Sequence, residues 1–139
     1  MDYESYRNNY FVDPAPQPRF AYAGIHGATL YFGDYEAAVD YYTRVLGAPA
    51  YVEGANTRGW RIGNTWLTLL KGKNGNPQNV EVMIATKTPA EVDRLHAAFI
   101  EAGGKGEAPS DQLMYEPVRY SLVLDPFGAS ILIFCPLES

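Results

Sequence analysis

The sequence repeats one pattern, in which a strand leads into a helix and short strands follow. In the first copy, the apolar residues from Ile25 to Phe32 predict the strand. Asp34 is suited to cap the helix, whose apolar residues continue at helical spacing to Leu46 before Gly47 ends it. Three strands are then predicted around 50–53, 59–61 and 65–70, the last two joined by a tight turn at Gly63-Asn64.

The second copy begins beyond a polar loop at 71–79 and keeps the same order. A strand at Val80–Ala85 leads into Thr88-Pro89-Ala90-Glu91, which combines an N-cap, a first-turn proline and a capping-box glutamate. Gly103-Gly104 ends this helix, and strands at 119–124 and 130–135 flank a turn at 125–128. The predicted buried stripe of the helix consists of Val92, Leu95, Phe99 and Ile100, with His96 beside it in a structural or solvent-facing position.

Two copies about 55 residues apart predict a duplicated α+β domain rather than a solenoid. The predicted fold class is therefore paired βαβββ modules that form a curved sheet with the helices on one face. We expect one domain over 25–139, with modules at about 25–72 and 79–137. Residues 1–24 form a separate arm with six aromatic side chains and three prolines, and we expect part of it to pack on the domain or on a second subunit.

Composition narrows the class of partner. Hydrophobic residues make up 47% of the chain and charged residues 19%, which is typical of a globular protein. The net charge of −5 argues against nucleic acid or an anionic membrane as a partner and mildly favours a cationic ligand. The single cysteine, Cys135, excludes an intramolecular disulfide and fits a reducing compartment. We find no signal peptide or membrane-spanning stretch in the sequence, so a cytoplasmic location is expected.

No short catalytic motif points to a reaction. The sequence contains no nucleophile elbow, P-loop, dinucleotide fingerprint, CxxC pair or HExxH motif. Three longer stretches carry a resemblance instead: GATLYFGDYEAAVDYYTRVLGAP, PAEVDRLHAAFIEAGG and DPFGASILIFCPL. Together, in this order and spacing, they resemble the vicinal oxygen chelate superfamily of glyoxalases, bleomycin-resistance proteins and ring-cleaving dioxygenases. The resemblance covers about 25–137 and implies that the sheet forms a cup with helices on its outer face, usually in a homodimer.

Metal-using members of that superfamily place one ligand on each of four strands, pointing into the cup. By motif register, the resemblance carries these positions to Gly27, Thr68, Glu81 and Leu132. Only Glu81 would bind a divalent metal well, whereas a catalytic centre needs about three protein N or O ligands. The resemblance therefore implies no metal and no other cofactor. The alternative is a non-standard divalent metal site built from His26, Glu81 and Glu116.

Strand alternation supports this register independently, because successive side chains point to opposite faces. His26 shares a face with apolar residues of its strand and should point away from the cup, unless a β-bulge or a one-residue slip turns it inward. Glu81 and Met83 should point inward, as should Trp66 and Thr68. Leu132 and Phe134 should point inward from the closing strand.

A ligand-binding wall follows from these assignments. Glu81 could act as a general base or attract a cation, or it could form a structural pair with Arg61 or Arg119, or lie exposed at the mouth of the cup. The segment Asp111–Tyr120 predicts a loop-and-strand edge over the mouth, or a dimer contact. The predicted ligand-binding residues are Tyr31, Trp60, Trp66, Thr68, Glu81, Met83, Tyr115, Arg119 and Leu132. Alternatively, bulky side chains fill the cup and leave no pocket.

Two functions from different classes remain open at this point. The first is a metal-independent protein, not an enzyme, that binds a small aromatic or cationic organic molecule. The second is a metal-dependent lyase, isomerase or dioxygenase with Glu81 as a candidate catalytic residue. Fold does not decide between them, because the superfamily supports both.

Overall fold

After an N-terminal helix, the chain runs twice through the order strand, helix, three strands. The structure is a computed structural model, and it describes residues 1–138. Its elements are α1 (Tyr3–Tyr10), β1 (Gly27–Phe32), α2 (Tyr35–Leu46), β2 (Tyr51–Glu53), β3 (Thr57–Ile62), β4 (Thr65–Lys71), β5 (Glu81–Ala85), α3 (Pro89–Glu101), β6 (Ser110–Met114), β7 (Glu116–Leu124) and β8 (Ser130–Pro136). The predicted α+β fold with paired βαβββ modules is confirmed.

The strands form two four-stranded sheets with the same internal order, β1-β4-β3-β2 and β5-β8-β7-β6. In each sheet the strand before the helix pairs in parallel with the last strand of its module, and the remaining pairs are antiparallel. β1 and β5 therefore each form one edge of their sheet, and β2 and β6 form the opposite edges. None of the strands described within residues 1–138 crosses from one sheet to the other.

The β3–β4 hairpin sets which side chains face the helices. Gly63 has a φ of +59°, a left-handed conformation that favours glycine, and the turn pairs Ile62 with Thr65. The same register pairs Trp60 with Leu67 on the face toward the helices. On the opposite face it pairs Arg61 with Trp66 and Gly59 with Thr68.

The two longer helices begin in different ways. Thr88 caps α3 as predicted, because its hydroxyl accepts a hydrogen bond from Glu91 N at 3.3 Å. The Glu91 side chain, however, pairs with Arg94 instead of completing a capping box. Asp34 occupies the N-cap position of α2 without a side-chain bond to the helix. Its amide donates to Asn76 Oδ1 at 3.1 Å, and its carboxylate accepts from Asn76 Nδ2 at 2.9 Å, so the 71–79 loop fixes the start of α2.

One apolar core joins the two modules. It lies between the helices and the sides of the two sheets that face them. It includes Leu67 and Leu69 from one sheet and Ile131 and Ile133 from the other. Aromatic rings of α2 contact rings of the second module: Tyr41 lies 6.2 Å from Phe99 and 5.9 Å from Phe127 between ring centroids. Such aromatic contacts add to the free energy gained by burying the rings.

A buried hydrogen bond reinforces this junction. Tyr42 donates its hydroxyl to Asp125 Oδ2 at 2.6 Å, and Asp125 Oδ1 accepts from the amides of Phe127 and Ala129. Asp125 is only 3% exposed, yet three donors satisfy its carboxylate. Burial, followed by the charge of Asp125, raises the pKa of Tyr42 well above its ordinary value, while the pKa of Tyr41 rises to about 12 mainly through burial.

The buried face of α3 differs in part from the predicted stripe. Val92, His96 and Phe99 are buried, whereas Ile100 is 36% exposed, so the prediction for Ile100 was wrong. These three residues stand at positions i, i+4 and i+7 of the helix, so the buried face of α3 includes His96 and leaves Ile100 at its border. Burial lowers the pKa of His96, and the charge of Asp93 partly opposes that change.

The N-terminal arm packs on the domain only at its beginning. Asp2 caps α1 by accepting from Ser5 N at 2.8 Å. The amide of Tyr115 donates to Tyr6 Oη at 2.6 Å, and the ring of Phe11 meets the ring of Tyr115 edge-on at 6.5 Å. Residues 12–26 are exposed. No helix within residues 1–138 is long and apolar enough to cross a membrane.

Two buried tyrosines of α2 provide a matched test of this junction. Tyr42→Phe removes one donor from the buried Asp125 carboxylate, and we expect it to lower the free energy of unfolding by about 1–3 kcal/mol in urea titration. Tyr35 is equally buried, but its hydroxyl has no hydrogen-bond partner within residues 1–138. Tyr35→Phe is therefore expected to be neutral or slightly stabilising. Equal losses in the two variants would show that the Tyr42–Asp125 bond does not stabilise the junction.

Candidate functional site

A groove runs along the seam where the edges of the two sheets meet. It lies between β1 and β4 of one sheet and β5 of the other, and its volume is about 350 Å³. That volume falls in the range of small-molecule sites, roughly 300–1,000 Å³. Its lining consists of Ile25, Gly27, Ala28, Ile62, Thr65, Trp66, Leu67, Glu81, Val82, Met83 and Ile84. Three of the predicted ligand-binding residues, Trp66, Glu81 and Met83, come together here.

Trp66 forms the aromatic wall of the groove. The edge of the Tyr51 ring meets it at 6.3 Å between centroids, and the Arg61 guanidinium lies 4.9 Å from its ring centre. A cation over an indole ring is attracted by the ring's electron-rich face. Gly59, on the neighbouring strand, would bring a Cβ within 3.2 Å of Tyr51 Cβ and 3.4 Å of Trp66 Cε3. The absence of a side chain at Gly59 therefore leaves room for both rings.

Glu81 is the only charged residue in the described lining of the groove. It begins β5 on the same face as Met83, and both side chains are exposed to solvent. Within residues 1–138 its carboxylate makes no hydrogen bond or ion pair, so the predicted alternative of a structural pair with Arg61 or Arg119 is wrong. The position at an open mouth agrees with the other alternative for this residue. A carboxylate here is available to a ligand because no protein cation neutralises it.

The position that carries the first metal ligand in related sequences cannot hold a side chain here. A Cβ added to Gly27 would lie 2.1 Å from the carbonyl oxygen of Trp66 on the paired strand β4. That distance is far below van der Waals contact, so any side chain would require the two strands to separate. Thr68 is half-buried and lies outside the groove lining, and Leu132, beside Met83, is only 7% exposed.

The residues of the alternative metal site do not converge. His26 is exposed just before β1, where its carbonyl accepts a hydrogen bond from Trp66 N at 3.0 Å. Glu116 is the first residue of β7, and Leu124 is the last. Ser130 of β8 pairs with Glu81 on one side and with Leu124 on the other, so Leu124 is the residue of β7 nearest to Glu81. Eight strand residues correspond to a separation of about 26 Å. Within residues 1–138, no three His, Cys, Asp or Glu side chains could hold a metal ion together. The donors present do not fit the metal centre that the superfamily implies.

Trp60 does not line the groove, which corrects the prediction for this residue. It is 2% exposed in the core, where its indole N–H donates to the Gly47 carbonyl at 2.8 Å and its ring lies 6.4 Å from the Tyr42 ring. The reason is the hairpin register, which places Trp60 beside Leu67 on the helix-facing side.

Arg119 also faces the helices. Its Nε and Nη2 donate to the two carboxylate oxygens of Asp93 at 2.8 and 3.2 Å, and Nη1 donates to Asp111 at 3.1 Å. It lies across from Cys135, a residue of the helix-facing side. This bidentate pairing fixes α3 against β6 and β7 and gives Arg119 a structural role, while its contact with a ligand stays a prediction.

The two predicted tyrosines lie away from the seam. Tyr31 is 56% exposed and borders the 71–79 loop. Tyr115 has a φ of +64° at the tip of the β6–β7 hairpin and contacts the N-terminal arm. A second hollow, of about 380 Å³, lies on the second sheet and contains Tyr120, Leu122 and Leu124 beside the chain at 105–108.

Sequence reasoning missed the part of the groove wall that lies before β1 and beside the β3–β4 turn. Ile25, Ile62 and Thr65 line the groove, although none was predicted to contact a ligand. Alternation along a strand identifies the face of a residue, but it does not reveal which strands of separate sheets become neighbours. The one available signal for Ile25 was its position at the start of the first predicted strand, which in the structure begins at Gly27.

The paired βαβββ modules and the groove between their edges define a glyoxalase-type fold. Residues 24–133 match the family model of the Glyoxalase/Bleomycin resistance protein/Dioxygenase superfamily. The match covers most of the chain, and the protein belongs to this superfamily. The resemblance carried by the three sequence motifs is confirmed. No curated protein matches the chain significantly.

Several solved structures are similar. A glyoxalase/bleomycin resistance protein from Albidiferax ferrireducens T118 is 21% identical, with 80% of this chain and 98% of that chain covered and a TM-score of 0.67. A lactoylglutathione lyase from Agrobacterium tumefaciens is 19% identical, with 82% and 94% covered and a TM-score of 0.63. A glyoxalase/bleomycin resistance protein/dioxygenase from Nocardioides is 18% identical, with 98% and 93% covered and a TM-score of 0.65. At these identities the similarity shows the fold alone.

The close approach at Gly27 is open to a direct test. We expect Gly27→Ala to lower the free energy of unfolding by about 1–3 kcal/mol, because the new methyl group overlaps the Trp66 carbonyl. Urea unfolding measures the loss. Thr29→Ala is the control, since Thr29 is an exposed residue of the same strand and its replacement should cost less than about 1 kcal/mol. A Gly27→Ala variant as stable as the wild type would contradict the tight contact between β1 and β4.

Proposed function

We propose that the protein binds a small organic cation with an aromatic or other apolar body in the groove between β1 and β5, and that it does so without a metal ion. The observation that carries this proposal is a single carboxylate, Glu81, without a partner in an otherwise uncharged and mostly apolar groove. The net charge of −5 adds a weak attraction for cations over a longer range.

The walls suit a flat apolar ligand body. Trp66 offers the indole surface that the Arg61 guanidinium leaves uncovered, and Met83 offers a thioether side chain that adapts to different shapes. Ile62 and Val82 extend the apolar lining. Because Glu81 is exposed, solvent screens its charge, and its attraction for a ligand cation is expected to contribute about 1 kcal/mol. Apolar contact would then provide most of the affinity, and Glu81 would provide the preference for positive charge.

Independence from metal is the second part of the proposal. It is supported by the blocked position at Gly27 and by the distance between Glu116 and Glu81 along the sheet. The competing function, a metal-dependent lyase, isomerase or dioxygenase, would need His26, Glu81 and Glu116 at one site. The similar lactoylglutathione lyase shares only the fold at its level of identity and therefore does not favour that function.

Assembly and location belong to the proposal as well. We propose a homodimer, which is supported by the exposed apolar side chains of Leu122 and Leu124 on the second sheet. We also propose a cytoplasmic location, since the only cysteine, Cys135, is a free and buried thiol.

A series of ligands that differ only in charge tests the binding proposal. Isothermal titration calorimetry with benzyltrimethylammonium, benzyl alcohol and benzoate keeps the ring constant while the charge changes. We expect the ammonium compound to bind most tightly and benzoate least tightly. Glu81→Gln should weaken binding of the ammonium compound about five- to ten-fold, which corresponds to about 1–1.4 kcal/mol, and leave benzyl alcohol unchanged.

Two controls accompany this titration. Glu101→Gln removes an exposed carboxylate from the end of α3, outside the groove, and should leave all three affinities as they are. Protein treated with a chelator should bind as well as untreated protein. Equal affinity for the three compounds would refute the role of Glu81, and loss of binding after chelation would refute independence from metal.

A further inference from the structure

The arm that leads into the groove carries two aromatic rings without a place in the core. Phe20 is 68% exposed and Tyr22 is 70% exposed, and their ring centroids lie 6.1 Å apart. Burial of large apolar side chains lowers the free energy of the system. An exposed pair of rings therefore marks a surface that would be stabilised by a further contact.

The segment that holds these rings is attached only at its ends. At its beginning, Tyr6 and Phe11 contact the β6–β7 hairpin through Tyr115. At its end, the carbonyl of His26 accepts a hydrogen bond from Trp66 N. Within the described chain, residues 12–25 make no other hydrogen bond of backbone or side chain. A segment with few contacts changes its conformation at low cost in free energy.

A glycine lies between the ring pair and the groove. Gly24 has a φ of +129°, which favours glycine over other residues, and a Cβ at this position would meet nothing within 4 Å. The backbone at Gly24 therefore has the wide conformational range of glycine, at a place that neighbouring atoms leave open. Ile25, the next residue, already lines the groove and is 87% exposed.

The ring pair is within reach of the groove. Two residues of extended chain span at most about 7 Å, so rotation at Gly24 can carry Tyr22 across the mouth beside Ile25. Trp66 of β4 and Met83 of β5 already line the groove, and Met83 is 48% exposed. Aromatic rings on both sides would enclose a flat ligand that the open groove holds on one side only.

We propose that Phe20 and Tyr22 form the outer wall of the groove when a ligand is bound, with the arm turning at Gly24. This inference rests on the proposed function and identifies further specificity-determining residues for the same site. Closure of the arm buries the two exposed rings and the apolar body of the ligand together. It slows release of the ligand, because the wall must open before the ligand leaves.

Titration with benzyltrimethylammonium tests this wall in the full-length protein. Phe20→Ala/Tyr22→Ala should weaken the affinity about ten-fold, through faster dissociation, while the preference for the ammonium compound over benzyl alcohol stays the same. Tyr10→Ala is the matched control, because Tyr10 is an exposed aromatic residue of the same arm, away from the groove. Its affinity should equal that of the wild type.

Trypsin provides a second measurement. Arg19, beside Phe20, and Lys73, in the 71–79 loop, are both exposed cleavage sites. Benzyltrimethylammonium should slow cleavage after Arg19 in the wild type and leave cleavage after Lys73 unchanged. In the Phe20→Ala/Tyr22→Ala variant this protection of Arg19 should disappear.

The outcomes separate this inference from the proposed function. Suppose that the wild type binds the ammonium compound and that Glu81→Gln weakens this binding. If Phe20→Ala/Tyr22→Ala then binds normally and Arg19 gains no protection, the outer wall is refuted and the groove remains a binding site. If the wild type binds none of the three benzyl compounds, both proposals are refuted.

Discussion

The whole architecture depends on the contact between α2 and the second module, where Tyr42 reaches Asp125. Because no strand ladder within residues 1–138 joins the two sheets, side-chain packing and the 71–79 loop hold the modules together. Tyr41 and Tyr42 place two rings among Phe99 and Phe127, and the Tyr42 hydroxyl completes the shell of donors around a buried carboxylate. Removal of one partner from such a buried hydrogen bond lowers the free energy of unfolding by more than the bond itself contributes, because the remaining polar group is left buried without a partner.

The groove follows from the same arrangement. Sheets held together through their helices can meet at their edges without pairing, and the unpaired edges β1 and β5 leave space between them. Edge strands also present main-chain N–H and C=O groups that no neighbouring strand uses. The candidate site therefore combines an apolar wall, one free carboxylate and backbone polar groups, and its floor includes the core residues Leu67 and Ile84.

Local patterns predicted much of the fold because they depend on neighbours in sequence. The capping by Thr88, the turn at Gly63 and the order of both modules follow from such patterns. Strand alternation also placed Glu81 and Met83 on the face where the structure has them. Trp60 was misassigned although a signal existed, since the two-residue turn at Gly63-Asn64 fixes the register that pairs it with Leu67. Arg119 and Tyr42, in contrast, find their partners through tertiary packing, which no local pattern encodes.

The close approach of β1 and β4 at Gly27 constrains how this chain could change over evolutionary time. Most positions on a sheet face exchange one side chain for another in a single mutational step. Here the carbonyl of Trp66 occupies the space that any side chain would need, so a histidine cannot appear until the backbone of both strands has shifted. That shift would by itself move Trp66 and reshape the groove. A metal ligand acquired at this position would therefore change the present groove as well.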